Sequence, residues 1–434
     1  MDTQLQPPAE VLGIARTLER AGYETWCVGG AVRDALLGHR HLDWDLATAA
    51  RPQQVRSLFK RTVPVGIEFG TVGVLDANDV MHEVTTFRRD VHTDGRHAVV
   101  DFGASLDEDL ARRDFTINAI AYSPSTGEVR DPFEGRLDLE RGVVRAVGEP
   151  GERLREDRLR GLRAIRFAAR FGFNIEPATW AAIVSSSPHL TRLSAERVKQ
   201  EIDKTVEQVR LPGTAFALWR NSGAMQVLIP RMGGITDIQL AAVDHTSPPL
   251  AGSKPARRVA RLIALFSAAP PDAVPDILRG LRYSNADAAW IGSVISRWSE
   301  LATDMRQALM AADAPADPML RRWAAIAGRT RLQPVLRLAE AHWAAERRAG
   351  NDAPSSPRVA SVYRRAVRVA YRDPIEIMDL AVNGRDLERI GITGPQVGRT
   401  LRSLLETVIN DPESNSPSKL LDLARQQSTD SHKE

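Results

Sequence analysis

Two acidic residues separated by one position offer the clearest chemistry in this sequence. Asp43 and Asp45 belong to the segment DWDLAT, and residues i and i+2 of an extended strand point to the same side. Two neighbouring carboxylates repel each other unless a cation lies between them, and hard cations such as Mg2+ prefer oxygen ligands. The pair therefore predicts a metal site with Asp43 and Asp45 as its ligands.

A Gly-Gly turn precedes these aspartates in the segment CVGGAVRDALLG. Gly29 and Gly30 let the backbone approach a ligand closely, and amide groups near the start of the helix predicted to follow favour a phosphate. A glycine pair alone is usually a turn, and a D-x-D pair alone is usually a solvated edge. In this order, however, they predict metal-assisted transfer to or from a triphosphate.

The segment HEVTTFRRD at 82–90 places Glu83 on a predicted strand beside the one that carries Asp45. Glu83 is therefore a candidate third carboxylate for the metal site, although an exposed strand glutamate taken alone is more often without function. The polar stretch at 90–100 contains Gly95 and is interpreted as a mobile loop over a site.

A third segment, RRDFTINAIAY at 112–122, begins with two arginines. Arg112 and Arg113 suit phosphate or ribose oxygens. Asp114 and Asn118 are four positions apart and would share one face of a helix, from which an asparagine can bind a sugar hydroxyl. The alternative is an ordinary helix capped by Asp114 with its apolar residues packed inward.

The segment LREDRLRGLRAIRFAARFGF is predicted to form one amphipathic helix. Asp157, Arg160, Arg163 and Arg166 recur every three residues along it and form a slowly winding stripe. An aspartate and an arginine one turn apart offer an acceptor and a forked donor to the edge of a base, and the other arginines suit phosphates. Without its context, an arginine-rich helix is about as often only a solvated surface.

Composition sets broad limits on the protein. With 434 residues, 43% of them hydrophobic and 26% charged, the chain is expected to be globular and soluble, with two to four domains. A net charge of +3 permits nucleic-acid binding without arguing strongly for it. Cys27 is the only cysteine, which excludes an intrachain disulfide. Neither a signal peptide nor an apolar run of ~20 residues is present, so we expect a cytoplasmic protein.

Periodicity predicts a mixed helical and sheet region followed by a helical one. Helices are predicted at 9–22 and 52–60, strands at 70–75, 80–87 and 99–102, and a turn-rich connector at 131–150. From about residue 151 onward the pattern predicts almost only helices, including one at 194–204 that begins with the capping residue Ser194.

The C-terminal half contains five tryptophans that we expect to pack in helical cores. A helical hairpin is predicted at 383–408, where backbone amides around the glycines, or Arg399 and Arg402, could meet a nucleic-acid phosphate. A hairpin that is only structural is equally compatible with the pattern. The last residues, 426–434, are expected to be disordered. The five tryptophans are Trp219, Trp290, Trp298, Trp323 and Trp343.

Taken in order, these motifs resemble a known family. GGAVRDALLG with DWD, EVTTFR, RRDFTINAIAY, EDRLRGLRAIRFAARFGF and SAERVKQEIDK are similar to motifs of the class II tRNA nucleotidyltransferases. This family comprises the CCA-adding enzymes and bacterial poly(A) polymerases of the polymerase-β-like superfamily, and the chain is most like a bacterial CCA-adding enzyme. The resemblance is strong over residues ~25 to 205 and weak near the C-terminus.

The resemblance implies a fold and a domain order. It implies an α+β polymerase-β-like nucleotidyltransferase head, a small mixed sheet with helices, followed by an all-α neck, body and tail. The expected boundaries are 1–138 for the head, 139–210 for the nucleotide-selecting neck, 211–375 for the body and 376–434 for a tRNA-binding tail.

The resemblance also implies a role for each motif residue. Asp43 and Asp45 match the Mg2+ ligands, and Glu83 matches the third catalytic carboxylate. Asp157 and Arg160 match the pair that reads CTP or ATP as a protein template. The remaining implied nucleotide-binding residues are Gly29, Gly30, Arg33, Arg112, Arg113, Asp114, Asn118, Arg163 and Arg166.

The implied activity is addition of CCA to the 3′ end of tRNA from CTP and ATP, with Mg2+ as cofactor and no nucleic-acid template. The segment at 88–102 is long enough to favour complete CCA addition. The alternatives are a poly(A) polymerase or a partial CC- or A-adding enzyme, and, from another class, a catalytically silent RNA-binding protein. The fragment AVDHTSPPL at 242–250 lacks an upstream histidine partner, so no phosphohydrolase module is expected. A P-loop kinase is excluded because GxxxxGK[ST] is absent.

Overall fold

A computed structural model describes residues 5–39, 44–93, 98–246 and 254–430. The chain divides into two compact units. The first unit comprises Met1–Leu211 and Ala215–Gly233, and the second comprises Pro212–Thr214 and Gly234–Glu434. The sequence-based boundaries at 138, 210 and 375 remain predictions.

The first unit begins with helices and strands in alternation. Helix α1 places Val11, Ile14 and Leu18 on one buried face, the spacing of an amphipathic helix. The elements up to residue 144 are α1 (Ala9–Arg20), β1 (Thr25–Val28), α2 (Gly30–Leu36), β2 (Asp45–Thr48), α3 (Pro52–Leu58), β3 (Thr62–Pro64), β4 (Thr71–Leu75), β5 (Met81–Thr86), β6 (Arg88–Thr93), β7 (Ala98–Phe102), α4 (Leu106–Ala111), β8 (Ala121–Tyr122), β9 (Val129–Arg130), α5 (Gly135–Arg141) and β10 (Val143–Val144).

Seven of these strands form one mixed sheet in the order β3-β4-β5-β2-β1-β8-β9. Strands β2 and β5 run parallel, and the other neighbouring pairs run antiparallel. Val28 lies opposite Asp45, while Leu46 lies beside Val84. The end of β1, the start of β2 and the middle of β5 therefore meet at one place in the sheet.

The segment at 90–100 differs from its prediction. It is not a loop throughout, because β6 and β7 pair antiparallel with Arg88 opposite Phe102. Residues 94–97, including Gly95, lie outside the described residues, so mobility stays a prediction. The short apolar run at 99–102, interrupted only by Asp101, predicted the second strand correctly, whereas the polar first strand lacks that signal.

The helix predicted from Asp114 is also absent from the described structure, and that prediction is wrong. Residues Thr116–Asn118 form a single 3-10 turn, and the chain then enters β8. Every residue from Phe115 to Ala121 is buried. An amphipathic helix would expose one face, so complete burial favours an irregular segment that crosses the core.

The connector at 131–150 contains a helix that the pattern did not predict. Helix α5 begins where both carboxylate oxygens of Asp131 accept from backbone amides, those of Gly135 at 2.7 Å and Arg136 at 2.9 Å. Gly135 is required there because a Cβ would lie 2.2 Å from the backbone oxygen of Thr116. Sequence alone suggested a turn because Gly135 suits turns equally well.

The rest of the first unit is helical apart from β11. Its elements are α6 (Pro150–Glu156), α7 (Leu159–Phe171), β11 (Asn174–Ile175), α8 (Pro177–Ser186), α9 (Ala195–Gln208), α10 (Pro212–Asn221, across the boundary between the units) and α11 (Ala224–Leu228). Ser194 caps α9 as predicted, since its hydroxyl accepts from the amide of Arg197. Strand β11 pairs parallel with β10.

The predicted single helix at 154–173 is two helices. The chain leaves α6 at Asp157, whose backbone is extended, with φ −148° and ψ 106°. The side chain of Asp157 then accepts from the amide of Leu159 at 3.0 Å, which stabilises the start of α7. Neither glycine nor proline marks this break, so the hydrophobic periodicity continues across it and predicts a single helix.

The second unit is helical. Its helices are α12 (Asp237–Asp244), α13 (Lys254–Phe266), α14 (Val274–Gly280), α15 (Asn285–Met310), α16 (Asp317–Ala327), α17 (Leu332–Arg348), α18 (Ser356–Arg372), α19 (Gly384–Arg389), α20 (Pro395–Asn410) and α21 (Pro417–Asp430). The predicted hairpin corresponds to α19 and α20. Helix α21 extends to Asp430, so the expectation of disorder is wrong for 426–430, and 431–434 lie outside the described residues.

The tryptophans pack mainly as expected. Trp219, Trp323 and Trp343 are buried, whereas Trp290 and Trp298 are half-buried. No helix among the described residues is both long enough and apolar enough to cross a membrane.

Candidate active site

A cavity of about 710 Å³ lies in the first unit and is lined by the sheet and by α7 and α9. Ten arginine and lysine side chains and four carboxylates line it, so its potential favours an anion. The cavity brings together every predicted site residue that the structure describes. These are Gly29, Gly30, Arg33, Asp45, Glu83, Arg112, Arg113, Asp114, Asn118, Asp157, Arg160, Arg163 and Arg166.

The carboxylate end of the cavity is formed by two parallel strands. Because Leu46 of β2 lies beside Val84 of β5, the preceding residues Asp45 and Glu83 are also neighbours, and both are half-buried. Oxygen ligands of this kind fit Mg2+. Asp43 belongs to residues 40–43, which lie outside the described residues. Within the described ranges, no three histidine, cysteine, aspartate or glutamate side chains form a metal-binding group by themselves.

The Gly-Gly turn follows β1 and faces the same carboxylates. Gly29 has φ +75°, and a Cβ there would lie 3.1 Å from Nη1 of Arg113 and 3.9 Å from Oδ2 of Asp45. Only glycine combines this backbone conformation with so close an approach. Nearby, burial raises the pKa of the Cys27 thiol to about 12, assisted by Glu19 and Asp45, so this thiol stays protonated.

Arg33 is held more rigidly than an exposed phosphate contact would be. It is 3% exposed, and its guanidinium donates to Asp34 at 2.7 Å and to Asn118 at 2.5 Å. The same guanidinium lies 5.0 Å from the ring centre of Phe167 and 4.8 Å from that of Phe171. Arg33 therefore lines the cavity from a fixed position between α2 and α7.

Arg112 and Arg113 share one acidic partner that sequence reasoning missed. Asp109 is fully buried and accepts from Arg112 at 2.7 Å and from Arg113 at 3.2 Å. Burial alone would raise the pKa of Asp109, but the two guanidinium groups lower it below its usual value. Among the described residues, the buried Nε of Arg113 has no hydrogen-bond partner. A donor without a partner in an anion-favouring cavity suits a ligand oxygen.

Asp114 connects the segment after α4 to helix α7. Its Oδ1 accepts from Asn118 Nδ2 at 2.9 Å, and its Oδ2 accepts two bonds from Arg163 at 2.9 and 2.7 Å. The Asp114 side chain is only 11% exposed. Burial would raise its pKa, but Arg163 and the hydrogen bond from Asn118 lower it to about 2. Asp114 and Asn118 thus interact as predicted, although no helix joins them.

Asp157 and Arg160 line the cavity, but each is bonded to other residues. Oδ2 of Asp157 accepts from Arg197 of α9 at 2.7 Å. Arg160 donates to Glu156 at 2.8 Å and to the backbone oxygen of Arg112 at 2.9 Å. The predicted stripe is therefore a set of side chains oriented from several elements and not one face of a single helix.

Arg166 is 3% exposed and forms a buried ion pair with Glu201 of α9 at 2.8 Å, with a further hydrogen bond to Gln208 at 3.2 Å. Its guanidinium lies 4.5 Å from the ring centre of Phe167. That ring also lies 5.0 Å from the guanidinium of Arg33 and 5.5 Å from that of Arg163. Phe167 is thus the common contact of three cavity arginines.

Several lining residues were not predicted. Phe167 and Arg170 lie on α7 at helical spacing from the predicted arginines, so the same periodicity could have found them. Thr71 of β4, Thr85 of β5 and the lining side chains of α9 were not assigned from the sequence, because only the fold brings them to the cavity. The unpredicted lining residues with polar side chains are Thr71, Thr85, Arg88, Arg170, Arg197, Lys204 and Gln208.

Comparison with known proteins agrees with this geometry. Family models match the poly A polymerase head domain at residues 25–145 and the probable RNA and SrmB-binding site of polymerase A at residues 172–233. The CCA-adding enzyme of Leuconostoc mesenteroides is 49% identical over 193 residues, 44% of this chain and 48% of that protein. The chain spans about half the length of the curated relatives that it matches.

Solved structures extend the likeness along the chain. The Bacillus stearothermophilus CCA-adding enzyme in complex with CTP is 31% identical, with a TM-score of 0.75 over 98% of this chain and 100% of that chain. The Thermotoga maritima CCA-adding enzyme complexed with tRNA is 20% identical, with a TM-score of 0.62 over 96% of this chain and 94% of that chain, and supports the fold alone.

The mixed-sheet head and its cationic cavity define a nucleotidyltransferase head, and the predicted fold class, this α+β head followed by helices, is confirmed. The chain belongs to the family of class II tRNA nucleotidyltransferases and poly(A) polymerases.

Proposed function

We propose that this protein adds CCA to the 3′ end of tRNA from CTP and ATP, releasing pyrophosphate, without a nucleic-acid template. The observation that carries the proposal is the cavity in which residues of four separate motifs converge with a large excess of positive charge. The relatives named as CCA-adding enzymes, one of them solved with CTP, support the same reaction. Because tRNA is the proposed substrate, we also propose a cytoplasmic location.

Mg2+ is the cofactor that the carboxylate end of the cavity suits. Asp45 and Glu83 would hold it together with Asp43. Held there, Mg2+ would supply a Lewis acid for the RNA 3′-hydroxyl and positive charge for the leaving pyrophosphate.

The residues of the chain itself bind and orient the nucleotide in this proposal. Arg112 and Arg113, fixed by Asp109, bind the triphosphate, and the Nε of Arg113 donates to one of its oxygens. Gly29 allows the phosphate chain to approach the backbone. Asn118, oriented by Asp114, binds the ribose.

Nucleotide choice is proposed to lie with Asp157 and Arg160, which present an acceptor and a donor to the base edge. The Arg160 side chain is 12% exposed and is held by its ion pair with Glu156, and Asp157 is held by Arg197. Both side chains are therefore oriented before the base arrives. Arg160→Ala should impair the use of both CTP and ATP while leaving tRNA affinity unchanged. An Arg160→Ala enzyme with unchanged rate and nucleotide selectivity would exclude the template role.

A gel assay tests the overall function. The protein is given Mg2+ and labelled tRNA ending at the discriminator base, with CTP alone, ATP alone or both. Growth by two nucleotides with CTP and by three with both supports complete CCA addition. Growth that stops at two with both nucleotides indicates a CC-adding enzyme, and long A ladders indicate a poly(A) polymerase.

A variant pair separates the enzyme from a silent RNA-binding protein. Asp45→Asn should lower the rate by about 10³-fold, because several kcal/mol of charge stabilisation are lost, while tRNA affinity stays unchanged. Asp107→Asn is the matched control, since Asp107 is an exposed carboxylate paired with Arg130, and its rate should not change. A wild-type protein that binds tRNA but transfers no nucleotide would favour the silent protein.

A further inference from the structure

Helix α18 differs in charge from its neighbours in the second unit. Its 17 residues, SPRVASVYRRAVRVAYR, contain five arginines and no acidic residue. Two of the arginines are engaged, because Arg358 donates to the backbone oxygen of Ala312 and Arg365 pairs with Asp317 at 2.6 Å. The other three are Arg364, Arg368 and Arg372.

These three arginines lie at i, i+4 and i+8, so they form one stripe along about two turns, or about 12 Å, of the helix. All three are exposed. Within the part of the chain that the structure describes, none of them has a hydrogen-bond or ion-pair partner. The next acidic residue in the chain, Asp373, already pairs with Arg321 at 2.9 Å.

Repulsion within a row of cations that lack acidic partners slightly destabilises the folded protein. The row therefore indicates a role in binding and not in stability. Exposed faces usually alternate charges of opposite sign. Arginine binds phosphate through a planar fork of donors, and Tyr371 on the same face is 57% exposed and offers a ring for stacking.

We propose that Arg364, Arg368 and Arg372, with Tyr371, form an RNA-binding surface that contacts the sugar-phosphate backbone. The proposal rests on the proposed function in naming tRNA as the RNA. We call the four residues the α18 stripe.

The α18 stripe fits RNA better than a lipid surface. A helix that lies on a membrane inserts an apolar face, whereas the apolar face of α18 is already buried. The buried residues of α18 are Val359, Val362, Ala366, Val369 and Ala370.

The test is the triple variant Arg364→Gln/Arg368→Gln/Arg372→Gln. Its matched control is Arg279→Gln/Arg297→Gln/Arg425→Gln, which removes the same charge from exposed arginines that already pair with acids on their own helices. Affinity for labelled tRNA lacking its 3′ end is measured from low to moderate salt, and the urea midpoint of each variant verifies folding.

The stripe variant should bind tRNA at least about tenfold more weakly than the control, with a log–log salt dependence shallower by about 2 to 3. The KM for CTP should not change, because only residues of the first unit line the nucleotide cavity. Equal tRNA affinity and salt slope in the two triple variants would overturn the proposal. So would loss of binding to phosphatidylserine vesicles with unchanged tRNA binding.

If the triple variant fails to fold, Arg368→Gln replaces it, with a salt slope expected to be shallower by about 1. The same samples are assayed for CTP addition. A wild-type protein that transfers no nucleotide contradicts the proposed function, while the tRNA titrations still decide whether the stripe binds RNA.

Discussion

Helices α7 and α18 both carry arginines at helical spacing, yet the fold uses them in opposite ways. On α7, Arg163 and Arg166 pair with Asp114 and Glu201, which lie 49 and 35 positions away in the chain. On α18, Arg364 and Arg368 are exposed and have no partner among the described residues. The difference shows that arginine spacing predicts a cationic surface. The neighbouring elements decide whether its side chains are fixed by ion pairs in a cavity or stay exposed to solvent.

The comparison has an energetic consequence. A buried ion pair leaves an uncompensated charge when one partner is removed, so its members are expected to be essential for stability. An exposed arginine without a partner contributes little to stability and can be selected for binding alone. The predictions below test this contrast, beginning with the largest effect.

Removal of Arg166 should be the most destabilising change. Arg166→Met removes the buried guanidinium from Glu201 and leaves only the Lys204 ammonium at 4.0 Å, which costs about 3 kcal/mol. Urea unfolding followed by circular dichroism measures the loss, and Arg368→Met is the matched control with almost no loss. The double variant Arg166→Met/Glu201→Leu should recover much of the stability. Equal losses for Arg166→Met and Arg368→Met would end the distinction between the two helices.

Asp114 should make stability depend on acid pH. Its folded pKa of about 2 lies below the usual value of 3.8, so it contributes stability that is fully present above pH ~4 and lost as the pH falls towards 2. The contribution is about 2 kcal/mol, from about 1.4 kcal/mol per pKa unit. Urea midpoints measured from pH 5 to 2 should fall less steeply for Asp114→Asn than for wild type.

The control for this pH dependence is Asp422→Asn on α21, because Asp422 is 66% exposed and pairs only at the surface. Its pH profile should match that of the wild type. A wild-type slope retained in Asp114→Asn would show that the Asp114–Arg163 pair does not carry this dependence.

Phe167 should affect nucleotide binding through the arginines that it contacts. Phe167→Leu removes the aromatic ring that three guanidinium groups contact. The KM for CTP and ATP should therefore rise about tenfold, with a smaller change in kcat. Phe167→Tyr keeps the ring and should restore the KM. A fall in kcat alone, not rescued by tyrosine, would instead indicate a general packing defect.

The smallest expected effect is on the stability of α18. Arg368→Gln should change the free energy of unfolding by no more than about 0.5 kcal/mol, because this side chain is exposed and makes no ion pair within the described structure. A loss above about 1 kcal/mol in urea unfolding would mean that Arg368 has a structural role, and the contrast with Arg166 would be weaker.

Much of the candidate site could be predicted from the sequence because its motifs are local. The Gly-Gly turn, the strand aspartate Asp45 and the arginines of α7 each have a residue type and spacing with a direct chemical meaning. The short apolar runs at 70–75 and 80–87, with turn residues between them, likewise indicated strands at the correct positions. These features depend on neighbours within a few residues, which the sequence shows directly.

Other features depend on residues distant in the chain. The break at Asp157 has no glycine or proline to announce it, and the partners of Arg166 and Asp157 come from α9. The segment after Asp114 is irregular because it is buried on every side, a property that local propensity does not contain.

The sequence by itself therefore determined the order of the motifs and the chemical types that line the cavity through local pattern, and the fold class through the family that those motifs resemble. Only the tertiary structure decided which cations are fixed and which remain free. Ion pairing depends on distances between elements far apart in the chain, and the same arginine is buried beside Glu201 at position 166 and exposed at position 368.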